Sequence, residues 1–304
     1  MIQSVMSEEN KSAPQPLPSD EQLFDELLEI LDLKQLGELE YEGVSKDFVG
    51  PRVFGGQVLG QAVVAASHTT DRPCHSMHAY FLRGGDIRES IRYVVTKVRD
   101  GRTLHTRQIN AYQKDKLIFT AMASFASKEL GMNYQAQAPE VHAPEDYATD
   151  LELLGGMPMP SQLRDRVMRP RYVQLKPLQP NNPFKPKKLE PHQAIYMRAH
   201  NAAKKELTPA IHQGLLAFMT DYMLLGTCLL PHGISFWSGH PLQAATIDHT
   251  IHFHRSFDAT RWLLHDMKSD VTAATRGLAQ GQIWQDGKLV VSTQQEGLIR
   301  LKED

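Results

Sequence analysis

A chain of 304 residues with 41% hydrophobic side chains carries enough apolar material for two domains or one large one, which excludes a disordered polymer. Its 33 basic and 35 acidic residues leave a formal charge of -2, so it lacks the strongly basic balance that marks a nucleic-acid-binding surface. Two cysteines, Cys74 and Cys228, are too few for a disulfide scaffold and lack metal-ligand spacing, so they read as free thiols in a reducing compartment.

Residues 1–21 are polar and proline-containing, without a basic stretch followed by an apolar one, so the expectation is a disordered tail on a cytoplasmic protein. Over 21–33, Leu23, Phe24, Leu27, Leu28 and Leu31 recur at helical spacing, with Ser19 and Asp20 as N-cap candidates. A strand is predicted over 36–44, and a helix over 54–68 that opens on Gly55 and Gly56. The segments 75–83, 91–99, 104–113 and 117–126 read as strands, and the short turns Gly84-Gly85, Asp100-Gly101 and Lys114-Asp115 favour antiparallel pairing. Residues 131–190 are rich in proline and predict a surface connection with one short helix near 160–168. A strand over 194–202, a helix over 209–227 and strands over 245–254, 262–272, 276–285 and 289–300 complete the chain, with Asp286-Gly287 as a hairpin turn. The longest apolar stretch, 215–230, is interrupted by Asp221 and reads as too short and too polar for a membrane span, so no membrane is expected.

The same pattern runs twice. A shift of 172 residues lays Phe81 on Phe253, Arg83 on Arg255, Asp86 on Asp258, Gln113 on Gln285, Lys116 on Lys288 and Leu117 on Leu289 without a gap. An internal duplication of this kind predicts an α+β fold in which two units, 22–130 and 191–304, each set one long helix against a curved antiparallel sheet. The connection, 131–190, lies between them, and the free edges of the two sheets can pair into one continuous sheet.

The copies differ where it matters chemically. Asp221 has only apolar neighbours on its helical face, among them Ala217, Phe218, Leu224 and Leu225, so a buried carboxylate there needs hydrogen-bonding partners or a raised pKa. Gln295 shares a strand face with Val291 and Thr293, and its counterpart in the first copy is the plain core residue Ala123. Under a separate helix offset Asp221 falls on Val64. Two core-facing positions have become polar in one copy only, which points to a site between helix and sheet; the plain alternative for Asp221 is a buried cap. Thr246 stands at the position of Cys74, and strand parity turns it away from the core unless a bend or bulge intervenes.

The motifs FGGQVLGQA, HSMHAYFLRGGD, PHGISF, ATIDHTIHFHR and STQQEG resemble those of the acyl-CoA thioesterase II family of double hot-dog hydrolases, over about residues 22–302. The resemblance implies hydrolysis of acyl-CoA to a free fatty acid and CoA without a covalent intermediate and without a cofactor. It assigns Asp221, Thr246 and Gln295 to activating the hydrolytic water, and implies a homodimer or homotetramer. On the same footing, Gly56 and Gln57 at the helix opening are candidates for the oxyanion site. Phe218, Met219, Met223 and Phe236 are candidates for an acyl slot, and Lys185, Lys187, Lys188, Arg83 and Arg255 for the CoA phosphates.

Three other readings stay open on the residues alone. His252 and His254 share a strand face next to His249, which admits a metal hydrolase, although no third ligand follows from spacing and the first copy has Tyr80 and Leu82 there. Ser235 admits a serine hydrolase but lacks a glycine two residues on. A protein of the same fold could also bind acyl-CoA without turning it over.

Overall fold

The computed structural model describes residues 17–48, 50, 52–159 and 161–301, so most of the expected tail, 1–16, lies outside the described residues. Its last two positions are helical. Helix α1 (Asp20–Leu31) starts at a capping box in which Ser19 and Gln22 exchange side-chain and backbone hydrogen bonds of 2.8 and 3.2 Å. The single strand expected over 36–44 is a hairpin, β1 (Lys34–Gly37) and β2 (Glu40–Gly43), turning at residues 38–39.

The first unit continues with α2 (Gly55–Ser67), β3 (Cys74–Phe81), β4 (Ile91–Asp100), β5 (Leu104–Gln113) and β6 (Lys116–Ala126), close to the predicted bounds. The connection holds more structure than its composition suggests: α3 (Asp150–Gly155), α4 (Ser161–Val167) and an unforeseen strand β7 (Val173–Pro177). Val173 and Leu175 are buried, and β7 pairs with β8 (His192–Ala199) as a sheet edge. The second unit follows as α5 (Pro209–Thr220), β9 (Leu242–Phe253), β10 (Leu263–Ala273), β11 (Arg276–Gln285) and β12 (Lys288–Leu301).

Among the described residues twelve strands form one antiparallel sheet in the order β1-β2-β4-β5-β6-β3-β9-β12-β11-β10-β8-β7. The order reads the same from both edges once each strand is exchanged for its counterpart in the other copy. The central pairing, β3 against β9, joins the two copies edge to edge, with Met77 opposite Ile251 and Ala79 opposite His249. The duplication has thereby removed the exposed edge that a single copy would present.

Helices α2 and α5 pack against each other within the core that the sheet covers. Both are apolar nearly all round, as helices without a solvent face must be, and residues 56–66 of α2 are all buried. They cross at glycines. A Cβ on Gly60 would lie 2.7 Å from the Gly214 carbonyl oxygen, and one on Gly214 would lie 2.8 Å from Val64 Cγ2. With these glycines superposed, Asp221 falls on Ser67, three residues beyond the Val64 expected from the sequence. The apolar run Pro209–His232 is long and apolar enough to cross a membrane by length and composition, but its most apolar 18-residue window is 67% buried inside the protein. It is the core of the second unit.

Gly60→Val is expected to lower the free energy of unfolding by about 1–3 kcal/mol, because a branched side chain must displace helix backbone rather than a flexible side-chain end. Gly131, with nothing within 4 Å of a built Cβ, is the control, and its valine variant is expected to stay within about 0.5 kcal/mol of the parent in chemical denaturation.

Candidate active site

Helix α5 starts at Thr208, whose hydroxyl accepts the Ile211 N–H at 3.3 Å, and carries Pro209 in its first turn. It stops at Asp221, six residues short of the predicted end at 227. Asp221 is the C-cap, and Met223 two residues later takes φ 67°, a left-handed conformation uncommon outside glycine. After this break the chain resumes as a 3-10 helix, Leu225–His232. The carboxylate that the sequence places in mid-helix therefore leaves the end of one.

Thr246 reaches the same point through a bulge. In the β9–β12 ladder Asp248 pairs with Glu296 and Thr246 with Gly297, so Ile247 is an extra residue that reverses the alternation and turns Thr246 inward. The first copy has the same bulge at His75, between Cys74 and Ser76. Gln295 arrives on β12, fully buried, opposite His249 on one side and Ala279 on the other.

These three residues meet. Gln295 Nε2 donates to Asp221 Oδ1 at 2.7 Å and to Thr246 Oγ1 at 2.8 Å, and Thr246 Oγ1 lies 3.4 Å from the same carboxylate oxygen. The other oxygen, Oδ2, accepts the Gly56 N–H at 2.9 Å. Burial pushes the Asp221 carboxyl above its usual range, and the bonds from Gln295, Gly56 and Thr246 oppose that shift without cancelling it. The carboxylate thus sits at the C-terminus of α5, where the helix dipole disfavours it, and at the N-terminus of α2, where the dipole and a free N–H favour it.

Gly56 is in the site in another capacity than expected. Its amide is committed to Asp221, so it anchors the carboxylate. Gly55 keeps that approach open, since a Cβ there would lie 2.8 Å from Asp221 Oδ2. Gln57 is buried and spends its side chain on the neighbouring loop, accepting from Lys46 N at 3.1 Å and donating to Val44 O at 3.1 Å.

A cavity of about 180 Å³ opens beside the cluster, lined by Asp221, Thr246, Met223, Leu225, Phe236 and Ala244 among others. Met223 and Phe236 thus face it. Phe218 and Met219 do not, being fully buried, and Phe218 stacks edge-on against Phe48 and Phe54. A larger, shallower hollow of about 510 Å³ near Asn133, Tyr134 and Arg255 holds none of the three polar residues. Lys185, Lys187 and Lys188 lie on a loop tied to the wall that leads to Phe236, through Leu189 N–H to Leu230 O at 3.0 Å and through Ser235 Oγ to Pro183 O. Arg83 and Arg255 instead donate to Leu117 O and Leu289 O, each at 2.7 Å, and close equivalent strand ends in the two copies.

The remaining candidates separate in space. His249 is buried, while His254 belongs to the other strand face, with His252 stacked on it and Ser292 bonded to its Nε2 at 2.9 Å. Among the described residues no three His, Cys, Asp or Glu side chains are grouped as a metal site. Ser235 Oγ donates to Pro183 O and accepts from Trp237 N, a turn rather than a nucleophile.

The chain is similar to known proteins in sequence and in fold. Residues 162–298 match the acyl-CoA thioesterase family and residues 45–126 the acyl-CoA thioesterase N-terminal domain. Acyl-CoA thioesterase 2 of Haemophilus influenzae is 37% identical over 286 residues, covering 92% of this chain and 99% of the relative. The crystal structure of an acyl-CoA thioesterase II, TesB2, from Mycobacterium marinum superposes with a TM-score of 0.71 at 32% identity, covering 90% of this chain and 98% of that one. A hot-dog-fold protein from Alicyclobacillus acidocaldarius, at 19% identity and a TM-score of 0.70 over 92% of this chain and 98% of its own, shares the fold. With both copies accounted for across nine-tenths of the sequence, the chain belongs to the acyl-CoA thioesterase family and has its double hot-dog fold.

Proposed function

We propose that this protein hydrolyses acyl-CoA thioesters to a free carboxylic acid and CoA, using a water activated by Asp221, Thr246 and Gln295 in the second unit, 191–304, with the first unit, 22–130, as scaffold. One observation carries the reading: a half-buried carboxylate, a hydroxyl and a carboxamide from three separate elements converge within hydrogen-bond distance beside a cavity. The relatives' names, acyl-CoA thioesterase 2 and acyl-CoA thioesterase II, supply the substrate class.

In this mechanism Asp221 accepts a proton from a water that Thr246 also contacts, and the water oxygen bonds to the thioester carbonyl carbon. As the tetrahedral species collapses the carbon–sulfur bond breaks, and the leaving thiolate takes up the proton held by Asp221, which restores the carboxylate. Burial suits Asp221 to this role by making it a stronger base than a solvated carboxylate. Gln295 holds Asp221 and Thr246 in register, and Gly56 fixes the second carboxylate oxygen. The cavity wall of Met223, Leu225 and Phe236 offers apolar surface to the acyl group, and Lys185, Lys187 and Lys188 offer charge to the CoA phosphates. The buried, unpaired Cys74 and Cys228 fit a reducing, cytoplasmic setting.

Asp221→Asn and Gln295→Ala are each expected to lower kcat by about 10²-fold or more, followed as CoA release with a thiol-trapping dye. Near-parental kcat in both variants would sink the assignment, and no release of CoA by the parent under single-turnover conditions would leave a binding protein instead. Because the Gln295 bond lowers the Asp221 pKa, residual activity of Gln295→Ala should lose its acid limb at higher pH than the parent.

Asp221 also makes a sign-definite stability prediction. Its folded-state pKa is raised, so between the unfolded and folded values the native state binds more protons and stability falls as pH rises. Asp221→Asn should therefore be at least as stable as the parent above the folded pKa, with the difference shrinking as pH falls through it; a denaturant series across that window checks this.

The outer face around Tyr80 and Met122, which are 54% and 42% exposed, supports self-association into a dimer or tetramer. Light scattering on the eluted protein should give a multiple of the chain mass, and a monomeric mass would exclude it.

A further inference from the structure

Four buried polar side-chain atoms among the described residues lack a hydrogen-bond partner, and two of them belong to residues that face each other: Gln295 Oε1 and His249 Nδ1. Both residues are fully buried, and both contact the end of α5, Gln295 through Asp221 and His249 through Thr220. The Thr220 hydroxyl donates to the Ala217 carbonyl at 2.8 Å, so its oxygen is left to accept from His249 Nε2–H at 3.1 Å. That fixes the tautomer, with a lone pair on Nδ1. Burial pushes the ring pKa down to about 3, so the imidazole is neutral at any working pH.

The two acceptors belong to directly opposite residues, whose Cβ atoms are typically about 5 Å apart, and one water donating a hydrogen to each would satisfy both. In the first copy the same two positions are Met77 and Ala123, opposite each other and buried without any polar atom to satisfy. The histidine and the glutamine have thus replaced an apolar pair together. Nothing in the bonds from Gln295 to Asp221 and Thr246 calls for a histidine at position 249.

We propose that His249 is a positioning residue: one internal water bridges its Nδ1 and Gln295 Oε1, and so holds the carboxamide with its Nε2 toward Asp221 and Thr246. The proposal rests on the water-activating role given to those three residues. With Gln295 Nε2 committed to Asp221 and Thr246, its Oε1 is left as a buried acceptor, and a water donating to it from the His249 side supplies the bond that this orientation otherwise lacks.

The test uses two variants of the full chain. His249→Phe keeps the ring shape and removes the acceptor, whereas His249→Asn places an acceptor close to where Nδ1 stood. His249→Phe should lower kcat by about tenfold or more with KM within about threefold, and His249→Asn should recover most of the loss. A crystal structure of the parent should show a water within hydrogen-bond reach of both atoms. Parental kcat in His249→Phe, an equal loss in both variants, or no water between the two atoms would each overturn the proposal. Should His249→Phe fail to fold, kcat of His249→Asn and the crystal structure decide. If Asp221→Asn and Gln295→Ala lose activity while His249→Phe keeps it, only this inference falls; if those two stay active, the catalytic reading falls first.

Discussion

A carboxylate that belongs in water is held inside the protein, and most of the molecule is arranged around that fact. Asp221 is tolerable because donors reach it from three directions: the Gln295 amide from β12, the Thr246 hydroxyl from β9 and the Gly56 N–H from α2. None of these is near Asp221 in sequence. For them to arrive, the end of α5 must meet the start of α2, which requires close helix approach at Gly60 and Gly214 and no side chain at Gly55. The same desolvation that disfavours the charge raises the proton affinity of the carboxylate, so the cost to the fold and the pKa shift have one origin.

The duplication shows what the fold alone requires. Across the central β3–β9 seam the two copies keep their bulges, their arginine-closed strand ends and their glutamines at 113 and 285, each of which caps an equivalent loop at 2.8 Å. They part company at the corner beside the helix ends. In the second copy that corner holds Asp221, Thr246, Gln295 and Ala279; in the first it holds Ser67, Cys74, Ala123 and Arg107. Arg107 is 1% exposed, donates to Thr69 O at 3.0 Å and pairs with Asp100 at 2.6 Å, so a cation fills the space and caps the carbonyl end of α2. One copy closed its corner and the other kept it open to a cavity.

Much of this was legible in the chain. Periodicity and turn residues located α1, α2 and the eight duplicated strands to within a few residues, because each has a continuous apolar face and a recognisable stop such as Asp286-Gly287, both at positive φ. The missed elements had weak local signals. The β1–β2 hairpin turns without a glycine or proline at residues 38–39, and β7 is five residues between prolines, buried only because β8 offers it an edge. The early end of α5 had no signal at all, since Met223 is an unremarkable residue forced left-handed by its surroundings.

Among the candidate site residues the division is similar. Asymmetry between the copies singled out Asp221 and Gln295, and parity showed that Thr246 needed a bulge. The roles of Gly56, Gln57 and Phe218 could not be read from the chain, because a glycine at a helix start serves an oxyanion or a carboxylate equally well until the partner is known. The duplication, the α+β class and the polar asymmetry between the copies follow from local pattern and from comparing the chain with itself. Which groups touch, the placement of Asp221 at a helix end and the bond from Gly56 to its carboxylate emerge only once the chain is packed. Hydrogen bonds and desolvation act over a few ångströms, and residues 165 positions apart come within that reach only when the two helices cross.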